Sequence, residues 1–124
     1  LVRALAEAVP SPQPDVEVCV CPPFLHLGAV QAATSAAIGV GAQDCAATDN
    51  GAFTGDISAA MLQDVGCAYV ILGHSERRQY HGETSAVVAE KAKKAHAREI
   101  ISIICVSYTS GKISIYFPTI CFIA

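Results

Sequence analysis

Cys67-Ala68-Tyr69-Val70-Ile71-Leu72 runs directly into Gly73-His74-Ser75-Glu76-Arg77-Arg78. The first six residues are apolar without alternation, the pattern of a strand in a parallel sheet with both faces covered. The next six open on a glycine and turn polar at once, so the strand delivers a histidine at its C-terminal end. In α/β architectures that edge is where ligands bind and where catalytic groups project.

Working outward, the same alternation of short apolar runs and helical patterns recurs on both sides, which reads as βαβ units around a parallel sheet. Upstream, Ser58 is placed to cap a helix that ends at Gly66, with Ile57 and Leu62 as a hydrophobic staple. Before it lies a long polar stretch, Asp44 to Asp56, and loops of that length in compact domains tend to be functional; a plain surface loop is the alternative. Ile38 to Gln43 is a strand whose glycines at 39 and 41 allow close backbone approach. Leu25 to Ser35 is Ala-rich and helical. Val16 to Cys21 is a strand closed by Pro22-Pro23, and Leu1 to Val9 reads as the end of a helix stopped by Pro10, Pro12 and Pro14. Downstream, Thr84 to Arg98 is a helix with Val88, Ala92 and Ala95 inward and a Glu90–Lys94 pair outward. Ile100 to Val106 is the fourth strand. From Tyr108 to Ala124 the rhythm breaks: a helix is due, and the weak alternation of Ile113, Ile115 and Phe117 reads instead as a strand.

Composition narrows the class. The 124 residues are 52% hydrophobic and 15% charged, which suits a packed single domain rather than a disordered chain. A formal net charge of −3 with scattered basic residues leaves no footprint for nucleic acid. No apolar run reaches the ~18–20 residues of a membrane span, and the longest, Ile113 to Ala124, is broken by Pro118. The six cysteines form no C-x-x-C pair and sit mostly in apolar runs such as Val18-Cys19-Val20-Cys21. They read as reduced, small buried hydrophobes in a cytosolic protein with no signal peptide. A metal site built on Cys19, Cys21 and a distant histidine is the alternative, and its ligand spacing is poor.

The chemistry concentrates at His74. If Ser75 caps a short helix starting at Glu76, His74 lies beside a helix N-terminus, whose positive end disfavours an imidazolium. A neutral histidine can donate a hydrogen bond to a carbonyl without first losing a proton. The alternative is a structural histidine satisfied by a local hydrogen bond.

The string Gly73-His74-Ser75-Glu76-Arg77-Arg78 resembles a signature of triose-phosphate isomerase, and other segments resemble the same family in order. Val18-Cys19-Val20-Cys21-Pro22-Pro23-Phe24 is similar to its second strand and turn, and Gly41-Ala42-Gln43-Asp44-Cys45 to its third strand. Asn50-Gly51-Ala52-Phe53-Thr54-Gly55-Asp56-Ile57-Ser58 is similar to its third loop, and Tyr69 to Arg78 to its fourth strand and loop. That family is itself the standard instance of the neutral-histidine effect, so the effect adds no independent support.

The resemblance implies an α/β fold, part of a (β/α)8 barrel with parallel strands; a flavodoxin-like open sheet is the fallback. It implies one incomplete domain over residues 1–124, family-like over 1–106 and divergent over 107–124. His74 matches the electrophile that polarises the substrate carbonyl, and Glu76 a buried carboxylate that organises the site. Ser75 would fix the turn, and Arg77 resembles a structural ion-pairing residue; a plain Glu76–Arg77 salt-bridge network is the competing reading. Thr54 matches the tip of the loop that inserts into a neighbouring subunit, so a homodimer is implied for the full-length family. The implied substrate is a triose phosphate, with no cofactor and no metal.

Isomerising such a substrate means abstracting a proton α to a carbonyl, stabilising the anion and excluding water. Family members bring an Asn and a Lys from the first strand, a glutamate base and lid from the sixth, and glycine-rich phosphate loops after the last. These 124 residues hold no counterpart of any of them, and they diverge near Ser107-Tyr108, where the family continues Gly-Glu. Glu76 is a poor substitute base, because adjacent side chains on a strand-to-helix turn diverge. The chain is therefore expected to be inactive alone. The rival expectation is a non-catalytic fragment that pairs with a full-length subunit through the Thr54 loop. A half-barrel should also expose two strand edges and an apolar inner face. The tail either covers one edge as an extra strand or, given its abrupt departure from the family's polar helix, is translated non-coding or frame-shifted sequence. A stand-alone phosphate-binding module is disfavoured, since no G-x-G-x-x-G or P-loop motif is present.

Overall fold

The computed structural model describes residues 1–9, 11–12, 14–106 and, for the backbone alone, 119–123. Pro10, and the Ile113–Phe117 alternation, fall outside the described residues. In chain order the elements are α1 (Val2–Ala8), β1 (Glu17–Cys21), a 3-10 turn (Phe24–His26), α2 (Leu27–Ala33), β2 (Ile38–Ala42), α3 (Ala59–Val65), β3 (Tyr69–Leu72), α4 (Ser75–His81), α5 (Ser85–His96), β4 (Ile101–Ile104) and β5 (Thr119–Ile123).

One sheet runs β4-β3-β2-β1-β5, and every neighbouring pair is parallel. Alternation along the strands sorts the apolar side chains into two layers. Val20, Ile38, Val40, Ala42, Val70 and Leu72 form one core with Leu27, Val30, Leu62, Val88, Ala92 and Ala95, and Val2, Leu5 and Ala6 of α1 pack against it too. The opposite face carries Cys19, Cys21, Ile71, Ile103 and Cys105, with Tyr69 against them. All the helices that bury apolar residues therefore share one layer. A flavodoxin-like sheet needs helices on both faces, so that fallback is ruled out and the sheet is part of a barrel wall, as the resemblance implies.

The inner face does not gape as expected. Cys19 and Cys21 are inaccessible, and Ile71, Ile103 and Cys105 are buried. The glycines explain part of this: a Cβ at Gly39 would run into the Tyr69 ring, and one at Gly41 would lie 2.7 Å from Cys21 Sγ. The missing side chains are what let larger neighbours close over the strand. β5 covers the edge of β1 over five positions, Glu17↔Thr119 to Cys21↔Ile123, as the extra strand expected of the tail. Among the described residues the sheet therefore ends on β4 at one side and on β5 at the other.

Local signals place most elements. Ser58 Oγ accepts from Met61 N at 3.3 Å, and Gly66 ends α3 at φ +94°; Ile57 packs against the core that holds Leu62. Thr84 caps α5 by accepting from Val87 N at 3.3 Å. Two expectations differ in detail. The Leu25–Ser35 helix is shorter, because Phe24–His26 is a 3-10 turn and Leu25 faces solvent. Glu90 pairs with Lys93 at 2.7 Å rather than Lys94, which reaches Asp49 at 2.6 Å across the long loop.

Candidate functional site

At the C-terminal edge of the sheet, Gly73 turns the chain out of β3 at φ +69° and His74 begins α4. The cap differs from expectation: His74, not Ser75, is the N-cap, and its Nδ1 accepts from the backbone N–H of Glu76 at 3.3 Å. Histidine is an uncommon cap, which is why the serine beside it is the residue that sequence reasoning selects. The bond has a chemical consequence. An Nδ1 that accepts carries no proton, so in the neutral ring the proton sits on Nε2, and Nε2–H is the available donor. His74 is half-buried and lines a cavity of about 300 Å³ together with Phe24, Gln43, Ile71, Glu76 and Tyr80.

Glu76 does not occupy a buried position. Its side chain is 73% exposed, with Oε2 3.7 Å from His74 Nδ1. Helix α4 buries none of its residues, so nothing among the described residues covers that carboxylate. Ser75 is exposed as well. Thr54 sits in an exposed loop beside Phe53, far in sequence from the site and not among its lining residues.

Arg77 behaves as an ion-pairing residue, but its partners are not Glu76. Its Nε lies 2.6 Å from Glu83 Oε1 and 2.8 Å from Asp44 Oδ2. Lys91 Nζ reaches the same two carboxylates, at 2.5 Å and 2.8 Å. Asp44, Glu83 and Lys91 are all buried, so two cations and two anions form a charge-balanced knot, two members of which, Asp44 and Arg77, line the same cavity as the histidine. Burial pushes the Asp44 carboxyl up, and outweighs the pull of Lys91 and Arg77. Burial also raises Glu83, but hydrogen bonds from Lys91 and Arg77 outweigh it and hold that carboxyl below the usual range. Sequence reasoning misses Glu83 and Lys91. A signal for the lysine is there: Lys91 falls on the same helical face as Val88, Ala92 and Ala95, and a lysine on an apolar stripe needs a buried partner.

Cys19, Cys21, Cys45, Cys67 and Cys105 are buried, and among the described residues no group of three or more His, Cys, Asp or Glu is placed to hold a metal ion. Burial pushes the Cys45 thiol up to about 12 and Cys67 to about 11, so both are unreactive as nucleophiles. No described helix is long and apolar enough to cross a membrane.

A sequence profile of the family described as triosephosphate isomerase matches residues 1–113. The chain belongs to the triosephosphate isomerase family. Among the triosephosphate isomerases it resembles, that of Moorella thermoacetica is 54% identical over 94 residues, covering 75% of this chain and 38% of its relative. Those of Bacteroides fragilis and Alcanivorax borkumensis are 47% and 45% identical over 107 and 109 residues, covering 86% and 88% of this chain and 43% and 44% of theirs. The chain thus spans less than half the length of the curated triosephosphate isomerases it matches.

Proposed function

We propose that this chain is the electrophile-bearing segment of a triosephosphate isomerase, which interconverts dihydroxyacetone phosphate and glyceraldehyde 3-phosphate, and that it does not turn over alone. The observation that carries the reading is His74: a ring at the C-terminal end of a barrel strand, Nδ1 committed to the Glu76 amide at 3.3 Å, its other nitrogen left to donate. In the proposed reaction, Nε2–H polarises the substrate carbonyl as an enediolate forms, while Arg77, tied to Asp44 and Glu83, holds the start of α4. Ser75 shapes the turn. Glu76 belongs to the family's site organisation, and its exposure here fits a position that further barrel strands would cover.

Electrophilic polarisation alone is not enough. General-base catalysis contributes about 10²–10⁴-fold, and these residues hold no counterpart of the family's glutamate base, lysine or phosphate loops. We read residues 1–124 as one incomplete barrel domain of a cytosolic, glycolytic enzyme that works as a homodimer and uses no cofactor. The test is a coupled isomerase assay on this chain, produced in a host lacking its own enzyme, with His74→Gln beside it. No turnover from either is expected. Turnover that falls on His74→Gln would mean that the base is dispensable or is supplied by Glu76.

The second reading is a non-catalytic partner of a full-length subunit. It is favoured by the loop around Thr54, where residues 51–56 are exposed and Phe53 presents half its surface. Co-purification with a full-length family member, lost on replacing Phe53 and Thr54, would establish it.

A further inference from the structure

Arg78 follows the ion-pairing Arg77 but takes no part in the buried knot. Its three donor positions go elsewhere: Nε to Gly73 O at 2.7 Å, Nη2 to Cys105 O at 3.2 Å and Nη1 to Ser85 Oγ at 3.3 Å. Its own backbone N–H donates to His74 O at 3.0 Å. The carbonyl before His74 and the carbonyl of His74 itself are therefore both held by one residue.

Gly73 is built around the same contact. A Cβ there would lie 2.7 Å from Arg78 Nη2, so the guanidinium occupies the space that a side chain at 73 would need. The Cys105 carbonyl matters because the β3–β4 ladder has just ended: Cys105 N donates to Leu72 O at 2.9 Å, and no further rung follows among the described residues. Arg78 takes over there, bridging the ends of β3 and β4 with a planar fork that an ammonium cannot reproduce.

We infer that Arg78 is a positioning residue for His74: it sets the Gly73–His74 peptide so that the imidazole Nδ1 meets the Glu76 amide and Nε2 faces the cavity. The catalytic value of this role rests on the proposed function, but the role itself can be read without turnover. In the ¹⁵N-labelled 124-residue chain, the Glu76 amide proton is followed from about pH 8 to about pH 5, where histidine titrates. Protonation at Nδ1 removes the acceptor, so the Glu76 signal should move with the imidazole, and His74→Gln should abolish the movement.

Arg78→Met should keep a dispersed spectrum while the Glu76 signal loses its titration shift. Arg78→Lys, which keeps the charge but reaches one carbonyl only, should give a reduced shift, and it decides the matter if Arg78→Met does not fold. Ser85→Ala removes the arm that touches neither strand and should leave the shift whole. A folded Arg78→Met or Arg78→Lys chain with the full shift overturns the inference, because tying two strand ends together without aiming the ring would give that result. A lost shift in a chain that does turn over, and equally so after His74→Gln, would instead leave Arg78 in its role and remove His74 from the isomerase reading.

Discussion

Gly73 and Gly82 share a left-handed backbone, at φ +69° and +66°, yet should respond differently to the same substitution. At Gly82 nothing lies within 4 Å of an added Cβ, so Gly82→Ala should cost only the conformational term, about 1 kcal/mol. At Gly73 the methyl meets Arg78 Nη2 at 2.7 Å and Val88 Cγ2 at 2.9 Å. Overpacking adds about 1–3 kcal/mol, so Gly73→Ala should lower stability by roughly 3 kcal/mol. Denaturant melts of the two variants side by side check this, and equal losses would mean that the Arg78 contact gives way freely. Both glycines sit in plain view in the sequence as turn residues. What composition and spacing could not distinguish is which of them has a neighbour in the way, since Arg78 approaches by folding back from the next helix.

The elements are held together at the site by a knot with one member from just after β2 (Asp44), one from α4 (Arg77), one from the loop after it (Glu83) and one from α5 (Lys91). Its two carboxylates pull in opposite directions with pH. Glu83 has a folded pKa below its unfolded value, so it stabilises above the ordinary carboxylate range, and that contribution is lost as pH falls through the folded pKa. Asp44 has a raised folded pKa, so its ionised form is a burden at neutral pH that is relieved as acid protonates it. Glu83→Gln should therefore destabilise at pH 7 by about 3 kcal/mol, leaving the buried Lys91 and the partly exposed Arg77 on one carboxylate. Asp44→Asn should cost clearly less, and the gap between the two variants should close toward acid pH. Thermal unfolding at neutral and acid pH is the measurement; an equal loss for both at pH 7 would contradict these opposite signs. The sequence announces the elements themselves well, because Ser58, Gly66 and Thr84 are local signals acting within one turn. The knot is only half legible. Arg77 is recognisable as a pairing residue, but its partners lie six residues away and on other elements, and tertiary packing chooses among the nearby acids. Glu76, adjacent in sequence, points to solvent instead.

For the molecule as a whole, the sheet has unequal ends. One edge is taken by β5, and the other, β4, carries Ile101 at 49% and Ile104 at 38% exposure. A flat apolar edge is a template for pairing with another chain. The protein should self-associate with rising concentration, and Ile101→Lys should shift it toward monomer without disturbing β3, which sedimentation velocity would show. Unchanged association would place the contact elsewhere, for instance at Phe53.

On the inner face, Tyr69 lies where Gly39 would otherwise carry a side chain, and its backbone and Cβ crowd Gly41. These positions cannot drift independently. A larger residue at 39 becomes tolerable only after the ring at 69 has shrunk, whereas loss of the ring while both glycines remain opens a hollow in the wall. The order of substitutions is constrained: across related sequences, the aromatic at 69 and the glycine at 39 should be kept or exchanged together. The glycine at 41, crowded by Cys21 Sγ and by the Cβ and carbonyl at 69, should be kept whichever side chain stands there.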